Sequence, residues 1–417
     1  MRVWLYSFAL FLYRQLMRLA SLFHPKANLW HKGQLGVWEG LEQAMSAPKK
    51  AIFWIHTASM GEFEQARPII EALKSQYLDC FILVTFYSPS GYVVRKNTPG
   101  IDYISYLPFD GSQNSARFLK LVNPQMAIFV KYEFWYFYLK ELEKRHIPTL
   151  LVSGIFRPNQ SFFRWYGGFF RAMLAKFDHL FVQNKESKEL LASIGIQQVS
   201  VSGDTRFDRV LANARLSEQW DLQKKFVDNQ AFIVVGSAWK ADMDCLIPLI
   251  NAHAFPLKWV IVPHEIHLEE LNGWKERLSV SVMFSTGEFI EHAEVLIVDE
   301  VGRLSTMYRG ATFAYIGGAF GAGLHNTLEA AVYGPTVFFG NKNYQKFQEA
   351  LDLISLGLAY PIADAASLEK AMRNIFEQED LLVNKQIMSR QYVASQAGAT
   401  ARIMEYIEQN KIHYVAQ

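Results

Sequence analysis

The sequence predicts an α/β protein of two doubly wound domains, preceded by an N-terminal helix that lies along a membrane surface. Three observations carry this. Short apolar runs alternate with helix-like stretches from residue 51 onward; the alternation pauses near residue 204 and restarts at 232; and the chain opens on a mostly apolar stretch with a polar stripe. Strands buried on both faces of a parallel sheet read as near-continuous apolar runs, and the helices between them supply the crossovers. At 417 residues, half of them hydrophobic and 20% charged, the chain is globular and long enough for two or three domains. A net charge of +2 argues against bulk nucleic-acid binding. Two cysteines, Cys80 and Cys245, exclude a disulfide framework and any CxxC motif, which points to a reducing compartment.

Residues 1–28 are expected to form the interfacial helix. Val3 to Tyr13 is apolar apart from Ser7, and such a run falls well short of the ~20 residues that span a bilayer. No small-residue cleavage pattern follows, so a signal peptide is not expected. On a helix, Ser7, Arg14, Arg18 and Ser21 share one stripe, while Trp4, Leu5, Phe8, Phe11, Leu12, Leu16 and Leu19 cover the other faces. The alternative is a helix packed against its own domain.

The first α/β domain is expected over 29–215, with strands at Ala51–His56, Phe81–Thr85, Tyr103–Tyr106, Met126–Val130, Thr149–Val152, His179–Val182 and Val199–Ser202. Residues 204–230, polar and charged, suit a linker. The second domain, 216–417, is expected to hold five strands, at Phe232–Val235, Trp259–Val262, Val295–Val298, Phe313–Ile316 and Thr336–Phe339, and to close with helices over Ala365–Glu377 and Leu381–Ile412. Ligands of such sheets bind beyond the carboxyl ends of the strands, in a cleft.

The chemistry-bearing motifs fall at those ends. After the first strand, Ser59-Met60-Gly61-Glu62 brings a carboxylate to a helix N-terminus, where it can accept a hydroxyl proton or simply complement the helix dipole. Lys131-Tyr132-Glu133-Phe134-Trp135 brings Glu133 out of a strand among aromatics, as a substrate contact, as a partner of Lys131 or as a cap of the next helix. Gly203-Asp204-Thr205-Arg206-Phe207-Asp208 delivers Arg206, which can hold a phosphate or carboxylate by a forked contact or pair with Asp204 or Asp208. Tyr315-Ile316-Gly317-Gly318 leads into His325-Asn326-Thr327-Leu328-Glu329. There, glycine-loop amides and a helix N-terminus suit a phosphate, and Glu329 suits a ribose diol or a capping box with Asn326. Asp242-Met243-Asp244 is a D-x-D triplet, but acids are favoured at a helix start and no partner ligands cluster with it, so no metal is expected. His264 and His267 follow a strand without an identifiable third ligand. Finally, Arg157, Arg164, Arg171 and Lys176 run without an acid among Phe162, Phe163, Trp165, Tyr166, Phe169 and Phe170, with the arginines seven residues apart. On one helical face they would suit an anionic lipid surface; the alternative is a partly buried helix with snorkelling cations.

In this order and spacing, the Ser59–Glu62, Glu133-Phe134-Trp135, Gly203–Asp208, Gly317-Gly318 and His325–Glu329 motifs resemble the Kdo transferases of lipopolysaccharide synthesis, where Kdo is 3-deoxy-D-manno-octulosonic acid. The similarity runs from about Leu29 to the C-terminal helices. The resemblance implies a GT-B glycosyltransferase of two Rossmann-like domains facing a cleft. It implies a CMP-Kdo donor, a lipid A precursor (lipid IVA) as acceptor, inversion at the anomeric carbon and no cofactor. It further implies work at the cytoplasmic face of the bacterial inner membrane, against anionic lipid. Glu62 matches the family's general base, Glu133 its second acid, and Arg206 the basic residue, typically lysine, that supports the transition state. The implied nucleotide contacts are Pro263, His264, Gly302, Arg303, Leu304, Gly318, Asn326, Thr327, Leu328 and Glu329; the implied lipid contacts are Arg157, Arg164, Arg171 and Lys176.

Three departures stand out. Pro263-His264-Glu265-Ile266 replaces the family's Pro-Arg-His-Pro, removing a phosphate-binding arginine for which His264 is the obvious substitute. Gly302-Arg303-Leu304 replaces Gly-Glu-Leu, and Arg303 restores a positive charge there. Gly323-Leu324-His325-Asn326 replaces Gly-Gly-His-Asn. Rival functions on the same fold are a nucleotide-sugar epimerase and a non-catalytic nucleotide- or lipid-binding relative.

Overall fold

Strand β1 (Ala51–Thr57) shows why the chain folds in layers: every residue is buried, and alternate side chains enter different cores. Ile52 and Trp54 join one apolar cluster, while Ala51, Phe53 and Ile55 join another with Phe63, Ala66, Ile70 and Leu73 of the Met60–Gln76 helix. Only a strand covered on both faces distributes its residues in this way.

The computed structural model describes residues 2–49, 51–95, 98–216 and 218–410. Among them, β1 joins β2 (Cys80–Phe86), β3 (Tyr103–Tyr106), β4 (Met126–Val130), β5 (Thr149–Gly154), β6 (His179–Val182) and β7 (Val199–Val201) in a parallel sheet of order β3-β2-β1-β4-β5-β6-β7. The second sheet contains β8 (Phe232–Ala238), β9 (Lys258–Pro263), β10 (Val282–Phe284), β11 (Val295–Ile297), β12 (Phe313–Ile316), β13 (Thr336–Gly340) and β14 (Ala359–Ile362), in the order β10-β11-β9-β8-β12-β13-β14. Strand order reverses between β1 and β4 in the first sheet and between β8 and β12 in the second. Such switch points are where open α/β sheets bind ligands.

The second sheet has two strands more than the five expected. Both extra strands, β10 and β14, lie at the edges. Three residues in β10 and a proline, Pro361, in β14 leave little apolar periodicity, and an edge position tolerates both features. The expected linker over 204–230 is mostly helix, Thr205–Leu216 and Asp221–Val227, with Phe207, Val210, Phe226 and Val227 buried.

The chain divides into two compact units, Met1–Arg209 with Ala397–Gln417, and Val210–Gln396. This corrects the expected 215/216 boundary: the division falls inside the Thr205–Leu216 helix. It also returns the chain's last segment to the first unit. There, Ile403, Met404 and Ile407 of the Ala399–Gln409 helix enter the core behind β1, and Asp208 accepts bonds from Gly398 N and Thr400 N at 2.6 and 2.7 Å. The remainder of the expected closing helix, 411–412, lies outside the described residues.

The first helix, Arg2–Ala20, leaves its apolar residues in solvent: Trp4, Leu5, Phe8, Phe11, Leu12, Leu16 and Leu19 are all exposed, followed by Leu22 and Phe23. Tyr6 fastens it, donating to buried Asp110 at 2.7 Å and packing against Tyr136, Phe137 and Phe169. No helix among the described residues is long and apolar enough to cross a membrane.

Candidate active site

The first unit assembles its candidate catalytic groups at the β1/β4 switch point. Glu62 lies in the first turn of the Met60–Gln76 helix, half-exposed, and accepts a hydrogen bond from the Ser59 hydroxyl. Across the switch, β4 is followed by Lys131, whose φ of 62° lies in the left-handed region that non-glycine residues rarely enter. That strained turn precedes Glu133. Backbone strain of this kind persists only where surrounding structure enforces it, and it clusters at functional sites.

Glu133 is held rather than free. Its Oε2 lies 3.1 Å from His56 Nε2 and accepts from Trp135 Nε1 at 2.9 Å. His56 is completely buried, with Nδ1 3.1 Å from Thr85 O and 2.9 Å from Thr85 Oγ1. The Thr85 hydroxyl in turn receives Trp54 Nε1 at 2.8 Å. These contacts on both ring nitrogens fix the orientation of the imidazole. Glu133 therefore answers to His56 and Trp135, not to Lys131 alone.

Tyr132 connects this cluster to Arg157. Burial pushes its phenol up, Arg157 pulls it down, and Glu62 adds an upward push, so both charges lie within electrostatic reach. Arg157 Nη1 donates to the phenol at 3.3 Å.

Arg206 stands in the first turn of the Thr205–Leu216 helix, gripped by Asp204: Nη2 and Nε reach Asp204 Oδ2 at 2.7 and 2.8 Å, and the Arg206 amide reaches Oδ1 at 2.9 Å. Burial raises the Asp204 carboxyl, but the Arg206 charge and the bonds from Arg206 and Gln65 outweigh it and leave it below its ordinary value. Gln65 Nε2 donates to Asp204 Oδ1 at 2.9 Å, and Gln65 O accepts from Thr205 Oγ1 at 2.7 Å. Gln65 lies on the helix of Glu62, so Arg206 is tied to that helix through Asp204.

The basic aromatic segment differs from a single helix with an arginine face. Gly167 starts a new helix, Gly168–Leu174, after a short turn at Ser161–Phe163, and Arg164 itself is extended. A side chain at Gly167 would strike Ser161 O at 2.2 Å, so only glycine fits at this break. Arg171 closes the turn by donating to Phe162 O and Arg164 O at 2.9 and 3.2 Å, and Lys176 pairs with Glu143. Phe162 is core, and Phe163, Phe169 and Phe170 pack on it; Trp165 and Tyr166 stay exposed.

In the second unit, a cavity of about 500 Å³ gathers five of the expected nucleotide contacts from two distant segments: Pro263 and His264 at the end of β9, and Gly302, Arg303 and Leu304 beyond β11. Arg303 is already paired with Glu300, Nε to Oε2 at 3.2 Å, so the charge it adds is largely offset. His264 stacks on Trp239 with ring centroids 4.3 Å apart and lies 4.5 Å from His325. Through that contact the cavity adjoins the His325–Glu329 motif. Burial and the neighbouring His264 push His325 down to about 4, and its Nε2 accepts Trp239 Nε1 at 3.1 Å.

The glycine loop departs from its expected role. Its amides are already spent: Gly317 N on Gly236 O, Gly318 N on Asp242 Oδ2, and Gly321 N and Gly323 N on Gly318 O, all within 3.0 Å. Gly318 has φ 92°, and a side chain there would strike Gly323 O. The helix after the loop is a single turn, Leu328–Ala331, too short for a strong dipole. Asn326 Nδ2 donates to Glu329 Oε1 at 3.1 Å, the capping contact weighed against ribose binding. Buried Asp242 is structural, accepting from Gly318 N, Trp239 N and Tyr315 OH, which fixes the loop to the helix start. Among the described residues no cluster of His, Cys, Asp or Glu could hold a metal ion.

Sequence reasoning missed His56, which ends an apolar run and looks like part of it. The available signal was its place as the last residue of the expected strand Ala51–His56, at a carboxyl end where such sheets bind ligands.

Residues 33–209 match the family model for 3-deoxy-D-manno-octulosonic-acid transferase. Curated 3-deoxy-D-manno-octulosonic acid transferases align with most of the chain: that of Rickettsia felis at 28% identity over 70% of this chain and 64% of its own, just under two thirds; that of Bordetella pertussis at 27% over 87% and 88%; and that of Chlamydia muridarum at 25% over 91% of each. Solved structures share the fold. The UDP-GlcNAc 2-epimerase of Methanocaldococcus jannaschii superposes with TM-score 0.54 at 15% identity, over 77% of this chain and 92% of its own. MurG of Acinetobacter baumannii does so with TM-score 0.55 at 14%, over 87% and 100%. The fold is GT-B, and with that family's domain matched over residues 33–209 and relatives of one activity aligned along most of its length, the chain is a glycosyltransferase similar to the 3-deoxy-D-manno-octulosonic acid transferases.

Proposed function

We propose that the chain transfers Kdo from CMP-Kdo to a sugar hydroxyl of a lipid A precursor, lipid IVA, with inversion at the anomeric carbon. Glu62 removes the hydroxyl proton as the oxygen attacks. The bond from the anomeric carbon to the phosphate oxygen breaks with oxocarbenium character, and CMP leaves with the bonding electrons. Glu133 and Arg206, both held in fixed orientation, stabilise the charge that develops. The second unit takes the donor: Pro263, His264, Gly302, Arg303 and Leu304 line its nucleotide cavity, Glu329 takes the ribose, and Gly318, Asn326, Thr327 and Leu328 border the phosphate. No metal or cofactor is assigned a part.

The observation that carries this reading is the meeting at one switch point of a half-exposed helix-start carboxylate, Glu62, with Glu133 braced by His56 and Trp135. Incubating the full chain with CMP-Kdo generated in situ and lipid IVA, followed by mass spectrometry of the lipid, tests it. The expected result is a product heavier by whole Kdo units; unchanged lipid with CMP-Kdo consumed only by hydrolysis would contradict it.

The acceptor is a lipid, and the same reading assigns the protein to the cytoplasmic face of the inner membrane as a peripheral or monotopic protein. The support is the exposed apolar surface of Arg2–Ala20, with Trp165 and Tyr166 exposed on the same unit. Arg164 is the cation of the basic segment best suited to lipid, since Arg157, Arg171 and Lys176 are engaged within the protein.

A further inference from the structure

Below the exposed apolar surface of the first helix lies a cavity of about 140 Å³ that the chemistry above does not use. Arg14 and Arg18, one helical turn apart, line it together with His31, Gln34, Trp30 and Phe109. No carboxylate lines the cavity beside the two arginines, although like charges one turn apart repel each other. Arg14 lies 5.9 Å from the Phe109 ring centroid, on an aromatic wall that Tyr13 and Trp30 extend.

A second observation is independent of the charges. Trp30 is 4% exposed, and its indole N–H has no hydrogen-bond partner. Native proteins rarely leave a buried donor unmatched. The cavity's lining thus brings together two guanidinium groups with no carboxylate beside them and a tryptophan whose buried N–H lacks an acceptor. A phosphate group offers acceptor oxygens, no obligatory donor, and a charge that two forked guanidinium groups match. Leu35, 72% exposed, lines the same cavity, and Leu12, Leu16 and Leu19 stand exposed on the same helix as the arginines. A ligand anionic at one end and apolar at the other fits both surfaces.

We propose that Arg14, Arg18, His31 and Trp30 form a discrete site for the phosphate group of a membrane lipid, whose acyl chains lie against the exposed face of the Arg2–Ala20 helix. This rests on the reading that the first helix meets a membrane, and it replaces diffuse attraction with recognition of one headgroup.

The test is vesicle flotation of the full chain with phosphatidylcholine vesicles carrying either phosphatidic acid or oleic acid, matched in surface charge. A phosphate site predicts a preference for phosphatidic acid of about tenfold, the scale of one charge-assisted contact. R14Q/R18Q should bind both vesicles equally, and Trp30→Phe, which keeps the wall but removes the N–H, should lose part of the preference. A control of the same charge change, Lys185→Gln with Lys188→Gln, should retain it. If R14Q/R18Q keeps the full preference, the cavity is not the site, while membrane binding itself stands. If the intact chain floats with neither vesicle, the membrane reading fails along with the site. If millimolar inorganic phosphate abolishes the preference at constant ionic strength, the cavity takes soluble phosphate and the lipid assignment is overturned.

Discussion

His56 Nε2 and Glu133 Oε2 lie 3.1 Å apart across the β1/β4 switch point, although 77 positions separate them in the chain. The pairing register explains the meeting: His56 stands opposite Phe129, so the turn that leaves β4 returns Glu133 above the imidazole. One ring nitrogen is fixed on Thr85, and the other faces Glu133 and the Trp135 N–H. His56 is thereby a positioning residue for Glu133.

Replacing His56 with Asn should lower kcat about 10- to 100-fold with little change in KM for the lipid, the signature of a misplaced group rather than a lost binding contact. His56→Gln, which returns a polar atom nearer to the Nε2 position, should recover part of the loss. Steady-state kinetics of the three proteins decide it. Equal loss in the Asn and Gln variants, matched by a loss of thermal stability, would reduce His56 to a packing role.

Asp204 holds Arg206 while itself buried, so removing its charge should be felt in both fold and activity. For Asp204→Asn we expect a loss of about 2 kcal/mol in a urea melt, the scale for a partly exposed guanidinium left without its partner, together with a fall in kcat. The sign in pH follows: the Asp204 carboxyl is depressed, so its stabilisation is present above the ordinary carboxylate range and is lost as pH falls through the folded value. An Asn variant as stable as the parent at neutral pH would contradict this.

Asp110 behaves in the opposite sense. Burial pushes it up to about 6, against the Tyr6 hydroxyl and two backbone amides that hold it down. A carboxyl raised in the folded state binds its proton more tightly there than in the unfolded chain. Stability therefore falls as pH rises from about 4 to about 6. Tyr6→Phe removes one bond to the carboxylate and should shift the Asp110 titration upward, as read by carbon NMR of the carboxyl. An unchanged midpoint would mean that Tyr6 does not govern how the first helix is fastened.

Removing residues 1–23 should release much of the protein from anionic vesicles, and should reduce activity on membrane-embedded acceptor more than on detergent-dispersed acceptor. Arg164→Glu should weaken vesicle binding most at low salt. Flotation of the truncated chain as complete as that of the intact one would assign the first helix to ordinary packing.

Much of this was legible because its chemistry is local. Glu62, Glu133 and Arg206 each follow an apolar run, and a strand end in an α/β sheet is a ligand-facing position wherever the strand pairs. His56 was not legible, since its role depends on β1 lying beside β4, which spacing alone does not dictate. The seven-residue arginine spacing misled because periodicity assumes one continuous helix, and Gly167 interrupts it. The glycine loop misled for a different reason: glycines permit close backbone approach, but here the approaching groups are Ser237 O and Gly323 O of the protein itself. The edge strands β10 and β14 and the return of Ala399–Gln409 to the first unit are consequences of long-range packing that no local pattern records.

Glu62→Gln tests the central claim most directly, with Kdo transfer to lipid IVA and CMP affinity measured on the same preparation. The amide keeps the size and the contact with Ser59 but cannot take a proton. The account predicts turnover lower by about 10²–10⁴, the usual span for a general base, with CMP affinity unchanged. Near-normal turnover would contradict it.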